Sequence, residues 1–309
     1  SKICIYFFSI LSIPFLIHKI IIFKPDIIIS NLVGYISCVL KLFFKNLIII
    51  NSIQGLPKFT YLRTIFWKIF YTKSDLILTM TNLTKNRIIK KIGIPESKIR
   101  KIENPIINSQ IRKLAQEDIE SDEQNLIYKN SFVICSVGRL TRQKNYFELI
   151  KCFKKLTLKK KNIKLIIIGS GELKKDIELY LKNNNIKNIF LLGFKNNPFK
   201  YIYQSDLYVS SSLWEEPGHT IIEAGYLNKL VLSSNCENGP KEILKDGINS
   251  LVYDLYDLYD LEQKILKAYE MSETDKKIIK IKLKKMTRNY TKFQFSLKFA
   301  TILNEIRNI

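Results

Sequence analysis

The chain has 309 residues, 50 of them Lys or Arg and 28 Asp or Glu, for a net charge of +22. That length holds two α/β domains with a core each. Two histidines and five scattered cysteines (Cys4, Cys38, Cys135, Cys152, Cys236) without a CxxC exclude a zinc site and a disulfide framework, and the cysteines read as buried, reduced thiols of a cytosolic protein.

The first third alternates helix and strand. The apolar run 3–17 falls short of the about 20 residues of a spanning helix and is read as a helix packed in a core or lying on a membrane, kinked at Pro14, with a membrane-inserted helix or a signal peptide as the alternatives. His18, in apolar company, is expected to be packed. Residues 24–30 form a turn feeding a buried strand, followed by a helix over 35–44 and a strand over 47–51. Then come a helix over 59–71, a strand over 76–80, a helix over 83–91 and a strand over 99–102. Residues 111–130, polar and acidic, are the linker. The second half opens with a strand at 132–137, a loop at 138–145 and a helix over 146–156 that Asn145 can cap. Strands follow at 164–168, 189–192, 207–212, 230–234 and 250–253, with helices between and after them. Near-continuous apolar strands alternating with helices mean parallel sheets covered on both faces. The expected domains are 1–110, the linker 111–130, and 131–289, with a helix over 290–309 packing back on the first.

The centre of the sequence is 214–225. Two carboxylates, Glu215 and Glu223, flank Pro217-Gly218, which breaks any helix, and Thr220 is a candidate cap for the helix that follows. Strand, glycine turn and helix start offer free N–H groups and a positive dipole end to a phosphate, and the carboxylates can accept from sugar or ribose hydroxyls. In a doubly wound sheet, ligands bind beyond the carboxyl ends of the strands. Arg139 and Lys144 lie past one such end, and Gly169-Ser170-Gly171-Glu172 past another. Taken singly, each of these has a plainer reading as a surface cation, a tight turn or a solvated helix start.

Jointly they are specific. The stretch from Glu215 to Glu223 with Ala224-Gly225, preceded by Gly138-Arg139-Leu140 and Gln143-Lys144-Asn145, resembles the retaining glycosyltransferases of family 4. These have the GT-B fold, two Rossmann-like doubly wound parallel-sheet domains with a crevice between them. The resemblance covers the second domain by motif and the first by architecture. Pro217 stands where an aromatic residue is usual and His219 where an aliphatic one is usual. The family's opening strand and glycine-rich loop are not found, so the first domain is expected to be abbreviated or the chain a fragment. The resemblance implies that Arg139, Lys144 and Glu215 are catalytic, the cations on the diphosphate and the carboxylate on the donor sugar. Glu223 would hold the ribose, and Gly138, Gly169, Gly171, Phe194, Lys195, Pro217, Gly218, His219 and Thr220 would complete the donor site. Phe194 and Lys195 would act through backbone groups. Gln54 stands where many members place a His near the reacting carbon.

The implied reaction moves a hexose or N-acetylhexosamine from a nucleotide diphosphate sugar, UDP-linked, to a lipid-linked or saccharide acceptor in surface glycan assembly, with no metal or cofactor. The loop 238–242 resembles the subset that acts on such sugars. A GT-B nucleotide-sugar epimerase and a truncated nucleotide-binding chain are the alternatives. The positive excess, concentrated in the first third, points to an anionic membrane at the inner face of the cell membrane. Without a recognition motif or lysines interleaved with aromatics on strands, nucleic acid is not an expected partner. The membrane surface is expected at Lys68, Lys73, Lys85, Arg87, Lys90 and Lys91 beside Phe66, Trp67, Phe70 and Tyr71.

Overall fold

The structure, a computed structural model, describes residues 11–31 and 34–307. It divides into two compact units, Ser1–Glu103 and Asn104–Ile309.

The first unit runs α1 (Ile13–Phe23), β1 (Ile27–Asn31), α2 (Gly34–Leu40), β2 (Ile48–Ile53), α3 (Tyr61–Phe70), β3 (Leu76–Thr79), α4 (Asn82–Ile92) and β4 (Ile99–Lys101). Its four strands lie in the order β1-β2-β3-β4, all parallel. The expected helix–strand alternation is present, with four local corrections. The first strand is an edge strand rather than a buried one, and Ile29 is 47% exposed. Pro14 sits in the first turn of α1, where its missing N–H has no intrahelical acceptor to serve, so it starts the helix instead of kinking it. The helix continues through His18, which is exposed rather than packed, and ends where Lys24 turns left-handed. The aromatics expected to meet a membrane belong to the core. Trp67 stacks on Tyr71 at 4.0 Å and Phe66 meets Tyr35 edge-on at 5.1 Å. On α3 it is Tyr61, Leu62 and Ile69 that face water. Residues 3–10 of the apolar run, and Cys4, lie outside the described residues. Among the described residues no helix is long and apolar enough to cross a membrane.

The second unit runs α5 (Ile111–Ala115), β5 (Phe132–Val137), α6 (Tyr146–Lys159), β6 (Ile163–Ile168), α7 (Lys174–Asn183), β7 (Ile189–Gly193), α8 (Phe199–Gln204), β8 (Leu207–Ser210), α9 (His219–Tyr226), β9 (Leu230–Ser234), α10 (Gly239–Ile243), β10 (Leu251–Tyr253), α11 (Leu258–Glu270), α12 (Glu273–Thr287) and α13 (Lys292–Arg307). The six strands are parallel in the order β10-β9-β8-β5-β6-β7. The two-residue strand period splits the apolar side chains between two cores. Ile134, Leu165 and Ile167 point to the face covered by α6 and α11, and Val133, Cys135, Ile166 and Ile168 to the face covered by α5, α9 and α12. The stretch 111–130 does more than connect, since Ile111, Ala115, Ile119 and Ile127 are buried in the second of these cores. Cys38, Cys135, Cys152 and Cys236 are buried free thiols.

The strand order reverses between β5 and β8. After β5 the chain winds outward through β6 and β7, then returns to the other side of β5 for β8, β9 and β10. The loops leaving β5 and β8 at the carboxyl edge of the sheet flank this reversal, the position at which ligands bind in open α/β sheets.

Candidate active site

Arg139 and Lys144 lie on the loop after β5, and Glu215 on the loop after β8. They come from the two strands that flank the reversal. Gly138 makes room for Lys144, because a Cβ there would stand 2.9 Å from Lys144 Cε and 3.0 Å from the Tyr146 hydroxyl. Asn145 precedes α6 in a left-handed conformation, φ 54°, but its side chain caps nothing. What it supplies is the turn out of the loop.

The loop after β6 is laced to this one. The Leu140 N–H donates to Ser170 O at 3.0 Å, and the Leu173 N–H to Leu140 O at 3.0 Å. Gly169, at φ +146°, would place a Cβ 1.9 Å from Gly138 O, and Gly171 would place one 2.4 Å from Leu140 O. The paired glycines let two backbones touch, which is a stronger requirement than a tight turn.

The loop after β8 is held from both sides. The Leu213 N–H donates to Gln143 O and Gln143 Nε2 to Trp214 O, each at 2.8 Å, while Ser211 Oγ donates to Lys144 O at 2.7 Å. From β9, Ser234 Oγ donates to Ser212 O at 2.6 Å. Asn238 pairs in parallel with Glu215 through a backbone bridge, and a Cβ on Gly239 would stand 2.0 Å from Pro217 O. The Glu216–Pro217 peptide is cis. Three loops and a helix start thus meet at one edge of one sheet.

Glu215 is buried, with Lys144 ion-paired to Oε1 and Ser212 Oγ donating to the same oxygen at 2.6 Å. Arg139 is exposed, and its guanidinium makes no ion pair or hydrogen bond to the described residues. Gly218, at φ +95°, caps α9, and Thr220 is the second helical residue rather than the cap. The backbone N–H groups of His219 and Thr220 have no acceptor among the described residues. They are free to donate to an anion.

Glu223, on the same helix, is half-buried, and its carboxylate has no hydrogen bond or ion pair to the described residues. Burial pushes its pKa up to about 7. A desolvated carboxylate without a partner is a signature of a binding position more than of a structural one.

His219 and Phe194 are exposed. Lys195 is turned to Glu123, 2.8 Å away, and lies over the Tyr201 ring, so its side chain is committed to the 121–128 segment. Among the described residues no group of three or more His, Cys, Asp or Glu is placed to hold a metal ion. Ser212 escaped sequence reasoning as a site residue, the serine run 210–212 carrying only a faint signal, while Gln143 and Gly239 entered it within loop motifs and without a role of their own. In the first unit, Gln54 lines a separate cavity of about 360 Å³ with Lys58, Arg63 and Trp67.

Residues 117–285 match the glycosyl transferases group 1 family. A glycosyltransferase of Methanocaldococcus jannaschii is 38% identical over 259 residues, which are 78% of this chain and 64% of that protein. The N-acetylgalactosamine-N,N'-diacetylbacillosaminyl-diphospho-undecaprenol 4-alpha-N-acetylgalactosaminyltransferase of Campylobacter jejuni is 28% identical over 231 residues, 72% of this chain and 60% of that one. The chain thus spans less than two thirds of the length of either relative. Among solved structures, a glycosyltransferase from Rickettsia africae superposes with a TM-score of 0.82 at 20% identity, covering 97% of this chain and 82% of the other. An Anabaena structure in complex with UDP gives 0.81 at 16% identity, covering 95% and 82%. With its two parallel-sheet α/β units the fold is GT-B. This chain belongs to the glycosyl transferases group 1 family.

Proposed function

We propose that the chain carries a retaining, family 4 glycosyl transfer from a UDP-linked hexose or N-acetylhexosamine to a lipid-linked or saccharide acceptor. The observation that carries this reading is the placement of a free Arg139 and a Lys144–Glu215 pair on the two strands flanking the strand-order reversal. The N–H groups of His219 and Thr220 and the side chains of Arg139 and Lys144 hold the diphosphate and take up the charge that develops as the sugar C1–O bond breaks. The donor competes with Glu215 for Lys144. Glu215, relieved of its cation, accepts from the sugar hydroxyls, while Glu223 accepts from the ribose. The acceptor hydroxyl attacks the face the diphosphate leaves and passes its proton to the departing phosphate. No metal or other cofactor is assigned a role.

The acceptor is assigned to the first unit, where Gln54 replaces the usual His in the 360 Å³ cavity. The exposed apolar stripe of α3 and the Lys90 and Lys91 side chains of the adjoining α4 support peripheral binding to the anionic inner face of the cell membrane. The undecaprenol-linked substrate in the name of the Campylobacter relative agrees with a lipid-linked acceptor.

The test is turnover of UDP-glucose, UDP-galactose and their N-acetylated forms with and without polyprenyl diphosphate sugars. Acceptor-dependent transfer with the anomeric configuration kept is the expected result. Sugar interconversion without acceptor would make the protein an epimerase, and nucleotide binding without turnover would end the transferase reading.

A further inference from the structure

A cavity of about 550 Å³ lies at the opposite edge of the second sheet from the site above. Lys229 immediately precedes β9 and Tyr203 precedes β8, so both stand at the amino ends of strands whose carboxyl ends carry the donor loops. Five residues of strand separate the two edges by roughly 15 Å. The cavity is lined by Arg112 of α5, Lys229, and Lys280 and Lys284 of α12, with Tyr203 and Tyr226 between them. Among the described residues no carboxylate lines it.

The four cations are held without being neutralised. The Lys229 ammonium donates to Ser205 O at 2.8 Å and lies 5.2 Å from the Tyr203 ring centroid. The Arg112 guanidinium lies 5.0 Å from the ring centroid of Tyr226. None of Arg112, Lys229, Lys280 and Lys284 has an ion pair among the described residues. Elsewhere this chain matches half-buried lysines with carboxylates, as in Lys264–Asp246 and Lys144–Glu215. Burial lowers the Lys229 pKa to about 8, against the pull of Asp206, whose carboxylate also accepts from the Val133 N–H. Lys284 is lowered too, by burial and then by Arg112 and Arg288. Lys280 and Lys284 repel each other one helical turn apart. Four unpaired cations that line one cavity beside two aromatic rings, with Lys229 and Lys284 desolvated, call for a multivalent anion.

We infer that this cavity is a second anion site, distinct from the donor cleft, that takes a phosphate monoester or diphosphate group from a soluble metabolite or a lipid headgroup. The volume is that of a small-ligand pocket and exceeds what one phosphate fills. The inference stands whether or not the transferase reading holds.

The test uses the full chain in three forms: wild type, Arg139→Ala, and the double variant Lys280→Glu with Lys284→Glu. Inorganic pyrophosphate is titrated calorimetrically, and vesicles of phosphatidylcholine with or without phosphatidic acid are assayed by flotation. Wild type and Arg139→Ala should each bind pyrophosphate at this site with a Kd of about 1 mM or tighter, and the double variant at least about tenfold more weakly. If vesicles containing phosphatidic acid show that pattern and pyrophosphate does not, the anion is a lipid headgroup. If neither probe separates the double variant from wild type, the inference is wrong. Should the double variant fail to fold, Lys284→Gln replaces it, and a loss smaller than about threefold then counts against the site.

Discussion

Replacing Glu223 by Gln should make the protein more stable and a poorer nucleotide binder, and the two effects should share one pH dependence. Burial raises the Glu223 pKa from 4.5 to about 7. Between those values the folded protein keeps a proton that the unfolded chain has released. Stability therefore falls as pH rises through that window and levels off above about 7. The gap corresponds to on the order of 3 kcal/mol withheld from the folded state at pH 8 and less than about 1 kcal/mol at pH 5. Gln is neutral throughout and keeps the side chain's shape. Glu223→Gln should thus melt slightly above wild type at pH 5 and well above it at pH 8, at about 2 to 4 °C per kcal/mol. Circular dichroism melts at the two pH values measure this, and the difference of differences removes every other titrating group. Nucleotide binding should move the other way, since ribose hydroxyls bond best to an ionised acceptor. By titration calorimetry, wild-type affinity for UDP should rise as pH passes about 7, while the Gln variant should bind about tenfold or more weakly and without that rise. An equal melting shift at both pH values, or a variant less stable at pH 8, would refute the picture of a desolvated, unpartnered carboxylate.

Arg139→Ala and Lys144→Ala should each slow transfer by about two to four orders of magnitude in steady-state assays, the scale of losing a charge partner in the transition state. Only Lys144→Ala should also lower stability, by about 3 kcal/mol in urea unfolding, because it leaves Glu215 buried and unpaired, whereas Arg139 has no protein partner to strand. Gly169→Ala, with its Cβ driven into Gly138 O at a left-handed φ, should yield little folded protein in an expression and solubility trial, and a well-folded, active variant would contradict the loop packing. Binding to anionic liposomes should fall steeply from low to physiological salt and drop when Lys85, Arg87, Lys90 and Lys91 become Gln. Lys85 should contribute least, since Glu96 lies 2.7 Å from it.

Much of this was legible in the chain itself. Runs such as 132–137 and 164–168 are apolar at consecutive positions because both faces of a parallel strand are covered, and that local pattern reveals strand type without any knowledge of neighbours. Glycine and proline marked the loops because they alone meet the backbone requirements there, so Gly138, Gly169, Gly218 and Pro217 were found before any coordinates. Strand edges were less legible. The run 27–30 is as apolar as β2, yet β1 lies at the sheet edge, since strand order is fixed by which pairings close rather than by composition. The aromatics of α3 could be placed on a helix, but whether Trp67 met lipid or Tyr71 depended on what packed against them.

What the sequence by itself determined was the parallel α/β architecture and the loops that close its strands, which follow from local periodicity and turn chemistry, whereas the donor roles of Arg139, Lys144, Glu215 and Glu223 came only from the family resemblance. Only the tertiary structure decided that the β5 and β8 loops face each other across a strand-order reversal, that Lys144 is spoken for by Glu215 while Arg139 is free, and that Glu223 is desolvated without a partner. The physical reason is range. Propensity and periodicity act over a few residues, whereas desolvation and charge pairing depend on what the fold brings within a few ångströms from dozens of residues away: Lys144 and Glu215 are 71 positions apart.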